Sequence, residues 1–204
     1  MNIWRFHEIL LRACAVLAGS WFVHASWHQW RLQPNRLSLL LLMLGEGTVV
    51  LLLLISKVPK RRDWHPVSLF CTLVATYYFL AVRLTPGIHL VPESIGVLLQ
   101  CTGLSWSLYA KWSLRRAFGL LPANRGVVTT GAYRVLRHPI YAGYLFNHLG
   151  FLLVSYCWQN LLVYTVLYSV QIIRLRREEC ILRDDPDYRD YCGHVRFRLI
   201  PGVF

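Results

Sequence analysis

Residues 131–143 read GAYRVLRHPIYAG, which sets Tyr133, Arg137, His138 and Tyr141 at the edge of an apolar stretch. Cationic and aromatic side chains at a bilayer boundary can hold a polar ligand against the membrane, and they also serve as plain interfacial anchors. A second cluster follows the next two apolar stretches, where Arg174 precedes Glu178 by one helical turn and Glu179 comes next. At the least, such a pair is an i,i+4 ion pair worth about 0.2–0.5 kcal/mol. Taken with the first cluster, it adds a carboxylate and a guanidinium to an imidazole and two phenols. That set suits a ligand carrying ammonium, carboxylate and hydroxyl groups.

Membrane helices are the elements predicted to carry these clusters. The chain is 55% hydrophobic and only 16% charged, a composition that excludes an ordinary soluble domain. Six apolar segments, 9–27, 37–56, 67–84, 95–114, 140–157 and 161–173, predict an all-α, polytopic transmembrane helical bundle. The sixth falls short of the roughly 20 residues of a full span. Trp158-Gln159-Asn160 reads as a tight turn, so the last two segments are expected to form a C-terminal helical hairpin. The first segment is too long for a signal-peptide core and no clean small-residue cleavage site follows it. No repeat or linker divides the sequence, which reads as one membrane domain over 1–204, with 1–114 as transmembrane scaffold and both clusters in 115–204.

A net charge of +12 invites a nucleic-acid reading, but the basic residues are sorted by loop. They collect at Lys57 to Arg62, again between Lys111 and Arg137, and from Arg174 onward, leaving Arg31, Arg36 and Arg83 for the alternate loops. The positive-inside rule then places both termini, the basic loops and both clusters on the cytosolic face of a multi-pass protein. No nucleic-acid partner is expected. Six cysteines without C-x-x-C spacing indicate neither a disulfide frame nor a zinc site, and reduced, mostly buried thiols are expected. His24 and His28 lie one turn apart with no evident third ligand, so no metal is expected there.

Several local features bear on the clusters. Gly119, Pro122 and Gly126 mark a turn-rich loop, and Val127 to Thr130 favour extended backbone before Gly131. Arg174 to Leu182 can continue the sixth segment as a helix into water. Asp184-Asp185-Pro186-Asp187 then reads as a capping turn, with Tyr188 and Tyr191 facing one way on the next helix. Glu46 lies within the second segment, where an unpartnered carboxylate costs about 2.5–3.5 kcal/mol on insertion scales. It could be a polar lining to a substrate cavity, but it reads rather as a carboxylate bonded to a neighbouring helix or held neutral, because nothing near it in the sequence adds chemistry.

The ordered series Gly131-Ala132-Tyr133, Arg137-His138-Pro139-Ile140-Tyr141 with Gly143, Arg174 before Glu178-Glu179, and a tail with Tyr188, Tyr191, Val195 and Pro201 resembles the isoprenylcysteine carboxyl methyltransferase family of integral membrane methyltransferases. Phospholipid methyltransferases are its wider relatives. The resemblance spans residues 118–204; residues 1–110 share only hydrophobicity. It implies S-adenosylmethionine as methyl donor in a pocket at the cytosolic face. By resemblance Arg125, Gly126, Val127, Val128, Tyr133, His138, Pro139, Ile140, Tyr141, Glu178 and Glu179 contact the cofactor. Arg174 faces the substrate, and Arg174 and Glu178 form the catalytic pair. Arg125 stands where the family usually has His, and Phe118 where it often has Gln, so the lip of the cofactor site departs from the pattern.

Methyl transfer from a sulfonium is an in-line displacement that demands alignment and exclusion of water. A carboxylate acceptor is ionised at neutral pH and needs no base, whereas an amine or thiol must lose a proton. The expected activity is isoprenylcysteine carboxyl O-methylation on a lipophilic or lipidated acceptor that reaches the site from the bilayer. Phospholipid N-methylation and small-thiol S-methylation are the alternatives within the class. A non-enzymatic membrane scaffold or transporter is the alternative outside it.

Overall fold

The two ends of the fold are tied in different ways, and the difference fixes where a ligand can enter. A computed structural model describes residues 3–55, 65–114 and 127–202, with side chains from residue 9 onward. Its long elements are α1 (Ile3–Leu32), α2 (Leu37–Ile55), α3 (Pro66–Tyr77), α4 (Glu93–Leu114), α5 (Pro139–Val154), α6 (Trp158–Leu182) and α7 (Pro186–His194). Two single-turn 3-10 helices, Tyr78–Ala81 and Gly131–Arg134, complete the described part, which holds no strand. The expected all-α class is therefore met.

Each apolar segment is helical with shifted ends, and the shifts have local causes. Pro66 starts α3, with the His65 ring accepting from Val67 N–H. The third segment does not run on as one helix: at Tyr78 it tightens into a 3-10 turn. Trp158, Gln159 and Asn160, expected as a turn, are instead the first turn of α6. The reversal lies at 155–157, where Tyr156 pairs with Ile88 and the Cys157 thiol accepts from Asn160 N–H. Gln159 and Asn160 bond outward to backbone of the segment after the 3-10 turn, which draws them into a helix start.

The expected hairpin is an open one. Helices α5 and α6 follow one another and meet through side chains such as His148 and Tyr164, while the backbone of α5 packs closely on α4. The α4–α5 seam is made by small residues. A Cβ on Gly103 would lie 2.5 Å from the Gly143 carbonyl oxygen, and one on Gly143 would lie 2.6 Å from Ser107 Cβ. Only glycine allows backbones this close, the packing typical of membrane helices. With α5 bound to α4, the face between α5 and α6 is left to line a cavity.

At the α5–α6 reversal, Arg36 donates to Leu84 C=O at 2.8 Å and to Ser155 Oγ at 2.7 Å, and Asn160 donates to Arg83 and Ser155 carbonyls. This end is closed by buried hydrogen bonds. An apolar core of Phe22, Leu39, Leu42, Phe79, Phe151 and Leu167 lies beneath it. Outside, large apolar side chains such as Leu17 and Trp158 are 71% and 77% exposed. Two helical stretches, Ile9–Leu32 and Leu37–Ile55, are long and apolar enough to cross a bilayer, and Pro66–Ala81 and Pro139–Val154 are shorter apolar helices. The thiols are free, but only Cys71 is fully buried; Cys14, Cys101 and Cys180 are exposed. In a chain with an apolar exterior, an apolar segment does not imply burial, so the expectation of mostly buried thiols fails.

Candidate functional site

At the other end, Gly131 adopts φ +65° and a side chain there would collide with Ser113, whose Oγ accepts from Ala132 N–H. This left-handed glycine turns the chain from Thr130, which is extended, into the 3-10 turn that buries Tyr133. His138 then caps α5 and Pro139 occupies its first position. Tyr141, Tyr144 and His148 follow at helical spacing on one face of α5. Opposite them α6 offers Tyr164, Gln171, Arg174 and Glu178. Tyr141 Oη lies 3.4 Å from Glu178 Oε2, and the Arg174 guanidinium sits 5.8 Å from the centre of the Tyr141 ring. His148 meanwhile stacks on Tyr164 at 4.9 Å. The pairings 141 with 178 and 148 with 164 show that the two helices run antiparallel.

These two faces line a cavity with about 1430 Å³ of empty space, open solvent at its mouth included. Its polar end is lined by Val127, Val128, Tyr133, Arg137, His138, Ile140, Tyr141, Arg174, Glu178, Tyr188 and Tyr191. Ala15, Val49, Val50 and Leu53 of α1 and α2 give it an apolar wall. The N-terminal helices, expected as scaffold, therefore form part of the cavity itself.

A tail clamp holds the polar end. The backbone N–H groups of Arg137 and His138 donate to Phe197 and Arg198 carbonyls at 3.0 and 2.9 Å. Tyr191 Oη donates to Tyr133 C=O at 2.6 Å, and Asp185 caps α7 by accepting from Asp187 N–H. Tyr133, Tyr188 and Tyr191 pack as one cluster, so the expected capping turn and the shared tyrosine face are both present. Burial raises all three phenols above their ordinary range, which keeps them protonated as donors.

Glu179, only 3% exposed, is the anchor of this clamp. Arg137 and Arg198 each approach it to 2.9 Å, and His138 Nε2 lies at 3.4 Å. Burial alone would raise its pKa, but His138, Arg198 and Arg137 together outweigh burial and bring it down to about 2.

Of the residues singled out from sequence, Val127, Val128, Tyr133, His138, Ile140, Tyr141, Arg174 and Glu178 converge on the cavity. Pro139 is buried in the helix start, and Glu179 faces the clamp and not the cavity. Arg125 and Gly126 lie outside the described residues. Among the described residues, no group of three His, Cys, Asp or Glu side chains could hold a metal ion.

The cavity has a further, inner part that the sequence reading missed. Glu46, Tyr78, Tyr144 and His148 line it. Tyr78 Oη donates to Glu46 Oε1 at 2.5 Å and lies 2.8 Å from His148 Nε2, whose Nδ1 is 2.8 Å from Tyr168 Oη. The reading of Glu46 as bonded to a neighbouring element holds, but the premise that nothing near it adds chemistry is wrong. Successive members of this chain lie 32, 70 and 20 residues apart in the sequence. The 3- and 4-residue spacing of Tyr141, Tyr144 and His148 was the available signal.

The described part is helical, and its cavity runs from a polar mouth to a wall on two apolar helices of bilayer length. The phospholipid methyltransferase family matches residues 91–184, from just before α4 to just past α6. That family belongs to the group of membrane methyltransferases that also includes the isoprenylcysteine enzymes. No curated protein matches the chain.

Proposed function

We propose that the protein transfers a methyl group from S-adenosylmethionine to a lipophilic acceptor within this cavity, as a multi-pass membrane enzyme with its polar end at the cytosolic face. The observation that carries the proposal is the continuity of one cavity from a polar, aromatic mouth to an apolar wall on α1 and α2. Such a cavity can admit a water-soluble cofactor at one end and a lipid at the other.

The residues at the mouth fit the cofactor. Glu178 suits its ammonium or ribose hydroxyls, Arg174 and His138 its carboxylate, and the Tyr133 and Tyr141 rings a sulfonium. Residues 127–129 have no helix or strand pairing, so their backbone can meet the edge of an adenine. When bound, the cofactor supplies an electrophilic methyl group. The protein's task is then to align an acceptor and exclude water. Glu179 is assigned a positioning role, holding 137–138 and 196–198 together beneath the mouth.

Two acceptor chemistries have specific support. The sequence resemblance and the guanidinium of Arg174 suit the carboxylate of an isoprenylcysteine. The matched family and the carboxylate of Glu46 deeper in the cavity suit a lipid amine, and this second reading is preferred. The test is calorimetric titration of S-adenosylmethionine into the purified protein in lipid. Wild type binds, while Glu178→Ala and Tyr141→Ala lose at least about tenfold in affinity, the worth of one charge-assisted hydrogen bond. A folded wild type that does not bind the cofactor overturns the proposal and brings the transporter or scaffold reading forward.

A further inference from the structure

The buried chain ending at Glu46 has a direction. With Glu46 ionised, Tyr78 donates to it, which leaves the Tyr78 oxygen free to accept from His148 Nε2–H, and His148 Nδ1 then accepts from the Tyr168 hydroxyl. In that state every donor points toward Glu46: Tyr168 to His148, His148 to Tyr78, Tyr78 to the carboxylate. A neutral glutamic acid would donate to Tyr78 and reverse the order, so this chain supports Glu46 as an acceptor only in its ionised form.

The surroundings fit an ionised group. Lys111, 3% exposed, places Nζ 5.0 Å from the Tyr144 ring centre and has no hydrogen-bond partner among the described residues. Burial works against the charge on Glu46, and Lys111 offsets part of that effect without forming an ion pair with it among the described residues. Tyr78, Tyr144, Tyr164, Tyr168 and His148 are the other titratable groups around the carboxylate. A network serving stability alone would satisfy both carboxylate oxygens. Only Oε1 is bonded among the described residues, and Glu46 lines the cavity.

We infer that Glu46, held ionised by the donor chain from Tyr168 through His148 and Tyr78, receives the protonated amine of the acceptor at the inner end of the cavity and takes its proton before methyl transfer. This inference rests on the methyltransferase reading above. The acceptor ammonium gives one proton to Glu46 Oε2, leaving a neutral amine with a free lone pair. That lone pair forms the new N–C bond as the donor's C–S bond breaks, with sulfur keeping the bonding pair. The nitrogen ends as a methylated ammonium, the donor as a neutral thioether, and the proton rests on Glu46 until product leaves and solvent takes it. Glu46 is thereby a catalytic residue, and Tyr78, His148 and Tyr168 are positioning residues.

Glu46→Gln keeps the shape and removes the charge. In this variant S-adenosylmethionine affinity stays within about twofold of wild type. Binding of lysophosphatidylethanolamine falls about tenfold, and methyl transfer to phosphatidylethanolamine vesicles falls at least about 100-fold, the scale of a lost general base. Methylation of an N-acetylated prenylcysteine, which releases no proton, is unaffected where it occurs. Tyr78→Phe removes a donor and retains the carboxylate, so the acidic limb of the pH–rate profile moves up by about one unit. Unchanged amine binding and transfer in Glu46→Gln overturns the inference, as does an unmoved profile in Tyr78→Phe. So does a wild type that binds the cofactor but methylates no amine lipid. Failure of wild type to bind the cofactor is a separate result and strikes the methyltransferase reading itself.

Discussion

Two carboxylates, Glu179 at the polar end and Glu46 at the inner end, sit about the same cavity and are held in opposite ways. Glu179 is buried against Arg137, Arg198 and His138, and both of its oxygens are engaged by cations. Glu46 is held through one oxygen by a phenol backed by an imidazole and a second phenol. Cations on both oxygens fix a charge so that it can anchor backbone. Neutral donors on one oxygen stabilise a charge and leave it available. The chemistry of the partners thus distinguishes a clamp from a reactive group where carboxylate identity alone does not.

The largest effect that would break this contrast is at Glu179. Glu179→Ala leaves buried guanidinium groups uncompensated and is expected to cost on the order of 3 kcal/mol. Melting in detergent would show it, together with weaker cofactor binding, whereas Glu46→Gln leaves cofactor binding intact. The loss depends on pH. Because the folded-state pKa of Glu179 lies near 2, below its ordinary 4.5, its contribution is present above about pH 4.5 and is lost as pH falls toward 2. The melting difference between wild type and Glu179→Gln should therefore narrow on acidification from about pH 6 to about pH 3. A constant difference would mean that the clamp is not electrostatic.

Gly143→Val tests whether the ends share a support. Overpacking the α4–α5 seam is expected to cost about 1–3 kcal/mol. Since α5 carries Tyr141, Tyr144 and His148, the variant should weaken cofactor and amine-lipid binding together. Tyr191→Phe removes the donor to Tyr133 C=O. Its expected cost is about 1–2 kcal/mol, read in the melting temperature and in cofactor affinity, with no change in the pH limb assigned to Glu46. Smallest is Asp185→Ala, the α7 cap, at about 1 kcal/mol. It should lower the melting temperature and leave the inner end unaltered.

The polar end was legible in the sequence because its residues are local and chemically unusual for a membrane segment. Pro139 and Pro186 each specify a helix start, and both helices begin there. Arg174 and Glu178 were legible because helical spacing puts them on one face. The inner chain was not, because Glu46, Tyr78, His148 and Tyr168 come from four separate elements and each alone passes for an ordinary helix residue. The α5–α6 reversal was misplaced by three residues because Asn160 finds its partners in a distant loop that local propensity does not register. The openness of the α5–α6 hairpin was missed for a related reason. Chain order suggested that α5 would pair with α6, but the glycine spacing at 96, 103, 143 and 150 brings the α4 and α5 backbones together.

The backbone bonds from residues 137 and 138 to residues 197 and 198 also set an order of synthesis. A nascent chain that has reached Leu182 already contains α1 to α6 and all but the last two residues of the matched segment. Its mouth still lacks the tail that closes beneath it. A ribosome must add α7 and the residues up to 198 before the clamp can form. Under the proposed function, insertion into the bilayer precedes competence to hold a cofactor, and a message truncated after α6 would yield an inserted protein that cannot turn over.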